Sequence, residues 1–323
     1  MTDRRAVLVL GDANVDLTLH VPTRLSRGRR GPVREAALSG GGTAANTATA
    51  LARLGVPVDF AGAIGDDGFG RWIAADLAAS GVGTRGLRVV DAPTCQVIAM
   101  IEPDGERSLV VWPPDGGALV RLEPGHLDRE LIAGAAWLHT TGMCLRHAPV
   151  RDTVLAAMTA ARAAGVQVSI DLNLRIELWG LDDERRATIE AAIALADVVL
   201  AQGDEELVPL TGAQPVVRAA SHLALGGPGD RGRTVVARLG AGGALACTAD
   251  GSMIRSHAFP VEAANPVGAG DAFNGGFVAA MVEGRGLVEA LRWGNAVAAL
   301  KVARPGGARD LPDRAEVVAL LAG

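Results

Sequence analysis

The stretch NPVGAGDAFNGGFVAAM, residues 265–281, sets two glycines and an aspartate at the mouth of a long apolar segment. Glycine tolerates positive φ and adds no side chain, so Gly268-Ala269-Gly270 can turn successive backbone N–H groups toward one point. A helix beginning near Asp271 adds its own unpaired N–H groups and the positive end of its dipole. Together they make an anion site. An acid beside such a site is repelled by the anion, unless the acid works as a base. Asp271 would then take the proton of a hydroxyl. Gly268, Ala269, Gly270 and the Asp271 N–H would stabilise a phosphoryl group in transit. A positioned base contributes roughly 10²–10⁴-fold in such chemistry. The same residues also read as a tight turn with Asp271 as a helix N-cap. The tetrapeptide alone leaves both readings open.

Other chemistry-bearing patterns fail on context. GPGDRG (Gly227, Gly229, Gly232) has the spacing of a dinucleotide fingerprint. That fingerprint follows a strand and opens a helix; here a helical pattern precedes and the strand RTVVARL follows, so it reads as a turn. Lys301, the sole lysine, precedes Val302, so there is no P-loop. There is no H-E-x-x-H and no G-x-S-x-G, and the histidines lack metal-ligand spacing.

The elements that must position the 268–271 loop alternate along the chain. Ala6–Leu10 reads as a buried strand, and VDLTLHV as a half-exposed one. Thr43–Leu54 is helical and ends at Gly55. VDFAGAIG is a strand and GRWIAADLAASG a helix. TCQVIAMIE and RSLVVW flank a Pro-Asp-Gly turn, a hairpin signal. Strand AAWLHTTG, helix VRDTVLAAMTAARAAG, strand VQVSIDL, helix DERRATIEAAIALA, and strands DVVLA and TVVARLG follow. The C-terminal third reads mostly as helix, including LVEALRWGNAVAALKVA. Repeated strand–helix units imply a mostly parallel sheet covered on both faces, with ligands at the C-terminal strand ends. The early strand and the later hairpin break that rhythm, and are expected to form a small separate sheet over the site.

The 323 residues, 49% hydrophobic, suffice for one large α/β domain. A net charge of -5 gives no basic surface for nucleic acid. Cys95, Cys144 and Cys247 are too sparse for a disulfide framework or a zinc site. No apolar run has the length of a signal peptide core or a membrane span, so a cytoplasmic protein is expected.

GAGDAFNGGFVAAM resembles the C-terminal signature of the ribokinase-like, or PfkB, carbohydrate kinases. GGGTAANTATALARLG (40–55) resembles their N-terminal signature, G-G-x-x-x-N-x-A. The likeness continues in order through GDDGFG, DGERSLVV, DLNLR and RPGGARDLP. It is nearest in motif to fructokinases and 2-keto-3-deoxygluconate kinases. The resemblance implies a ribokinase-like α/β sandwich, residues 1–323, with a β-sheet lid from about 12–38 and 93–114. It makes Asp271 the base and Gly268-Ala269-Gly270 the anion hole. Asn14 and Asp16 would bind sugar hydroxyls, with Gly41 and Gly42 allowing close approach and Asn46 bonding another hydroxyl. Ribokinases proper carry a lysine near the position of Thr43; this chain does not, which argues against ribose.

In D-L-N-L-R, the resemblance sets Arg175 on the substrate and Asn173 on the nucleotide side. A guanidinium after a parallel strand can hold phosphate or carboxylate in a bidentate way; the alternative is a surface ion pair with Glu177 or Asp171. Glu206 takes the place of the family glutamate that acts on magnesium through water, although Gly203 replaces the usual asparagine. Gly240 and Gly243 match the nucleotide loop, and Asn295 a position near the adenine. ATP with Mg²⁺ is implied. The family's Asp-Thr ahead of the G-A-G-D is Asn265-Pro266 here, which leaves activation by K⁺ open. Relatives pair through their lids, so a homodimer is expected. The implied reaction is phosphorylation of a hydroxymethyl group of a small sugar or sugar acid. A nucleoside kinase and a non-catalytic binder of the same fold are the alternatives.

Overall fold

The computed structural model describes residues 6–21, 32–104, 106–226 and 232–323. Its strands are β1 (Val7–Leu10), β2 (Asn14–His20), β3 (Glu35–Gly41), β4 (Val58–Gly65), β5 (Gly83–Val90), β6 (Gln96–Ile101), β7 (Arg107–Trp112), β8 (Trp137–Thr141), β9 (Gln167–Asp171), β10 (Val198–Gln202), β11 (Thr234–Arg238), β12 (Ala244–Cys247) and β13 (Met253–Ser256). Nine of them form one sheet in the order β13-β12-β11-β10-β9-β8-β1-β4-β5. It is parallel from β5 to β11, and β12 and β13 extend it antiparallel.

β1 shows why both faces are covered. Its four residues are all buried, but Leu8 and Leu10 pack into one helical layer and Val7 and Val9 into the other. Side chains alternate across a strand, so a strand apolar at every position needs two apolar layers. On the second face lie helices Thr43–Arg53, Ala269–Val282 and Gly286–Val302. Residues 44–51 and 271–280 of the first two are buried without a break. Small residues let these helices close up: a Cβ on Gly275 would lie 2.4 Å from that of Ala50. Phe277, wholly buried between them, contributes on the order of 1.5–3 kcal/mol.

The remaining strands make a second sheet, in the order β3-β2-β6-β7. The early strand and the hairpin thus come together as expected. β2 runs antiparallel to β3 but parallel to β6, so this sheet is mixed. β3 runs on to Gly41, past the expected bound of 38. Gly105 of the hairpin turn, and Gly227 and Gly229 of the rejected glycine pattern, lie outside the described residues.

Four strands were not expected: β3, which falls in the expected lid range but was not read as a strand, β5, β12 and β13. β5 (GTRGLRVV) carries arginines and glycines that hide its alternation, and β12 and β13 are only four residues each. β3, β5 and β13 are edge strands, which need one apolar face at most, so their pattern is weak; β12 lies inside the sheet but is too short to show a period. Among the described residues no helix is long and apolar enough to cross a membrane.

Candidate active site

Helix Ala269–Val282 begins at Gly268, whose φ of 80° lies in the left-handed region. A Cβ there would also stand 2.9 Å from that of Ala308, so glycine is required twice over. Asp271 lies inside the helix and makes no cap bond. Its carboxylate instead accepts from Asn46 Nδ2 at 2.8 Å, across 225 residues of sequence. The N-cap reading is thereby excluded. Asp271 is 7% exposed. Burial pushes its pKa up to about 8; the Asn46 bond opposes this, the negative charges of Asp171 and Asp12 add to it, and Arg238 opposes. An acid so placed can take a proton near neutral pH.

The small sheet brings a second group to the same place. Asn14 donates to Asp16 at 2.5 Å. Burial raises the Asp16 pKa to about 6, against the Asn14 bond and the charge of Arg309. A methyl on Gly41 would sit 2.4 Å from Asp16 Oδ1 and 2.6 Å from Asn14 Nδ2. Gly42 has φ 94° and would collide with Asp12 O at 2.5 Å. The adjacent glycines thus let β3 pass beside the acid pair and turn straight into helix Thr43–Arg53. Asp12 fixes that turn: it accepts from Thr43 N at 2.7 Å, Thr43 Oγ1 at 2.8 Å and Ala44 N at 3.0 Å.

Arg309 joins the two groups. It donates through Nε to Asn46 Oδ1 at 3.3 Å and through Nη2 to Gly41 O at 3.1 Å, and it pairs with Asp76. The sequence offered little sign of Asp12 or Arg309. The one available clue for Asp12 was an acid just past the first parallel strand, where ligands collect.

On the other side of Asp271 lies a cluster at the ends of β9, β10 and β11. Arg238 grips Asp171 with two bonds of 2.8 and 3.0 Å, and donates to Asn274 Oδ1 at 2.7 Å. Asn274 Nδ2 returns a 2.7 Å bond to Asp171. The Arg238 charge overcomes burial and holds the Asp171 carboxyl below its ordinary range. Arg238 Nε is buried and has no hydrogen-bond partner among the described residues. It faces the glycine loop, 3.7 Å from where a Gly270 Cβ would be. Arg175, by contrast, is exposed, with φ 48°. The arginine beside the Asp271 loop is Arg238, and Asp171 pairs with it rather than with Arg175. The rule applied to Arg175, an arginine closing a parallel strand, also picks out Arg238.

Glu206 explains the turn that carries Asn173 and Arg175, both at positive φ. It accepts from Leu174 N at 2.5 Å and Gln202 N at 2.6 Å, clamping that turn to the end of β10. Burial and the charge of Asp171 raise its pKa. Each carboxylate oxygen keeps one lone pair, which suits a metal's water rather than the ion itself.

Gly240 and Gly243 bound the turn from β11 to β12, with φ of 56° and 87°. A Cβ on Gly243 would strike Ser256 O at 2.2 Å. Asn295 Nδ2 spends its donors on Ser256 O, Ser256 Oγ and His257 O, all within 3.2 Å. Asn295 therefore holds the segment against which the glycine turn packs. Asn265 bridges the loop before Gly268 to the C-terminal loop. Its Nδ2 donates to Gly306 O at 2.9 Å and Pro305 O at 3.4 Å, and its Oδ1 accepts from Val267 N at 3.0 Å. Lys301 is fully buried behind it and donates to Asn265 O at 3.3 Å.

The structure thus gathers Asn14, Asp16, Gly41, Gly42 and Asn46 with Asp271 and its loop. The chain has known relatives. The sequence matches the pfkB family carbohydrate kinases over residues 4–314. It is 33% identical over 293 residues to probable fructokinase-4 of Arabidopsis thaliana, covering 88% of this chain and 87% of that one. It is 33% identical over 318 residues to the aminoimidazole riboside kinase of Salmonella typhimurium, covering 95% and 92%. The crystal structure of a ribokinase II of E. coli in complex with ATP and Mg²⁺ superposes with a TM-score of 0.86 at 25% identity, over 98% of this chain and 99% of that one. The nine-stranded sheet with its small second sheet is the ribokinase-like fold, and the chain belongs to the pfkB family of carbohydrate kinases, which makes it a phosphotransferase.

Proposed function

We propose that this kinase moves the γ-phosphoryl group of Mg-ATP to a hydroxymethyl hydroxyl of a small sugar or sugar acid. Asp271 takes the hydroxyl proton as the new O–P bond forms and the bond to the ADP oxygen breaks. The observation that carries this reading is the buried Asp271 carboxylate, held by Asn46 beside a glycine-started helix N-terminus. Backbone N–H groups of Gly268, Gly270 and Asp271 face the phosphoryl oxygens, whereas that of Ala269, expected in the same anion hole, is spent on Pro266 O at 3.1 Å. The unpartnered Arg238 Nε beside Gly270 supplies a further donor. Asn14, Asp16 and Asn46 engage the acceptor's hydroxyls. Asn173, Gly240, Gly243 and the segment held by Asn295 form the nucleotide side. Magnesium, bound to the phosphates, neutralises their charge, and Glu206 meets its water shell.

The test is ADP release with Mg-ATP over fructose, 2-keto-3-deoxygluconate, ribose, aminoimidazole riboside and adenosine, with Asp271→Asn as blank. Turnover on a ketose or sugar acid, lost in the variant, supports the reading. Turnover confined to ribosides makes the chain a nucleoside kinase, as its riboside kinase relative suggests. Nucleotide binding without turnover on any acceptor favours the non-catalytic alternative.

Two further expectations belong here. The carbonyls of Pro305, Gly306 and Asn265 already face N–H donors from Asn265 and Lys301. The rate is therefore expected to be equal in potassium and in choline salts; several-fold activation by potassium would contradict this. Leu109, Val110, Val111 and Trp112, all 47–66% exposed, make β7 an apolar edge. Such an edge needs a cover, and the lid of a second copy fits it. Light scattering is expected to give twice the chain mass, and Val110→Lys to halve it.

A further inference from the structure

Arg309 occupies the loop between helices Gly286–Val302 and Arg314–Ala322, with its side chain 9% exposed. Each of its three nitrogens meets a different element: Asn46 in the helix after the lid, Gly41 O at the end of β3, and Asp76 in helix Gly68–Ala79. β3 leaves room for it only because residue 40 is glycine, since a Cβ there would stand 2.0 Å from Arg309 Nη1.

A guanidinium has five donors and no acceptor. It therefore decides which way the Asn46 amide lies. With Oδ1 toward Arg309, the amide turns Nδ2 toward Asp271 Oδ2, as observed at 2.8 Å. The flipped amide would set donor against donor at Arg309 and oxygen against carboxylate at Asp271. With Asp271 ionised, as a base must be, both contacts would be repulsive, so one orientation is selected. That orientation supplies Asp271 with a side-chain donor at Oδ2, directing the other oxygen to a substrate proton.

We infer that Arg309 is a positioning residue: it fixes the Asn46 amide, and so the catalytic base, and ties both to the lid strand through Gly41 O. The role rests on Asp271 being the base, and gives that site a link to its cover. A lid that shifts at Gly41 moves a ligand of the same guanidinium that orients Asn46. The lid's position and the readiness of the base are then one event.

The test needs no substrate. The Asp271 carboxyl is titrated by ¹³C NMR in the free protein, assigned by its loss in Asp271→Asn. Asp271 faces Asp12, Asp171 and Arg238, and Arg309 faces Asp12, Asp16 and Asp76; none of these is changed. Arg309→Met is expected to raise the midpoint by about one pH unit, the worth of one hydrogen bond to the charged form. Arg309→Lys keeps the charge but not the Nε donor, and is expected to give most of that rise. In an Asn46→Ala background, Arg309→Met should add nothing, because the route runs through the amide. Amide exchange along β3 should quicken at least tenfold in Arg309→Met.

An unchanged midpoint in both Arg309 variants would overturn the relay. So would a full further rise on top of Asn46→Ala, which would mean a direct charge effect. Unaltered exchange in β3 would sever the lid from it. If Arg309→Met fails to fold, Arg309→Lys and Asn46→Ala still decide the point. Should Asp271→Asn retain full turnover, the kinase mechanism falls by a separate measurement.

Discussion

Asp271→Asn is expected to lose about 10²–10⁴-fold in kcat on the accepted substrate, with the KM for ATP little changed. Asparagine keeps the shape of the side chain and can still accept from Asn46, so the loss reports the missing base and not a collapsed site. Loss of less than tenfold would remove Asp271 from the chemistry. The wild-type pH profile carries the same signature. Burial raises the Asp271 pKa from an ordinary 3.8 to about 8, and only the ionised form can take a proton. The value of kcat/KM is thus expected to climb with pH through about 8. Stability moves the opposite way. Between about pH 4 and 8 the unfolded chain has released this proton while the folded chain keeps it, so stability from this group falls as pH rises. Denaturant midpoints at pH 5 and pH 8 should converge in Asp271→Asn relative to wild type.

Arg238→Met is expected to cost about 3–5 kcal/mol of stability, because it strands a buried charge. Asp171 loses both guanidinium bonds, Asn274 loses its donor, and Glu206 loses the cation 4.0 Å away. The Asp171 side chain is 4% exposed, so water cannot replace the lost partner. Adding Asp171→Asn removes the stranded charge, and the double variant should recover much of the loss in a urea titration. Turnover should not recover with it. Arg238 also moderates the Asp271 pKa and, in the proposed reaction, offers its Nε to the phosphoryl group. A double variant as stable as wild type and fully active would show that Arg238 only holds the fold.

The 268–271 loop was readable in the sequence because its parts are contiguous. Four residues supply the turn, the helix start and the acid, and the glycines have few other reasons to stand there. The strand–helix alternation was readable for a like reason, since each buried strand of the large sheet advertises itself locally. The residues around the base were not. Arg309 meets Asn46 and Gly41 across 263 and 268 residues, and Arg238 meets Asp171 across 67. No local pattern marks an arginine whose partners lie that far away. Arg175 drew attention because its motif is compact; Arg238 sat in a stretch that looked like an ordinary strand end. The family resemblance ran through RPGGARDLP, which contains Arg309, but a matched stretch does not say what its arginine meets in space.

Lys301 has a consequence for the chemistry of the folded protein as a reagent. It is the sole ε-amine in these residues, and it is fully enclosed, with burial lowering its pKa. Acylating agents, aldehydes and amine-coupled surfaces find no lysine to attack while the fold holds. Acetylation or glutaraldehyde fixation should leave Lys301 untouched in the native state, and Lys301 should become modifiable only as the chain opens. Its acylation is thus a one-site gauge of unfolding, placed directly behind the catalytic loop.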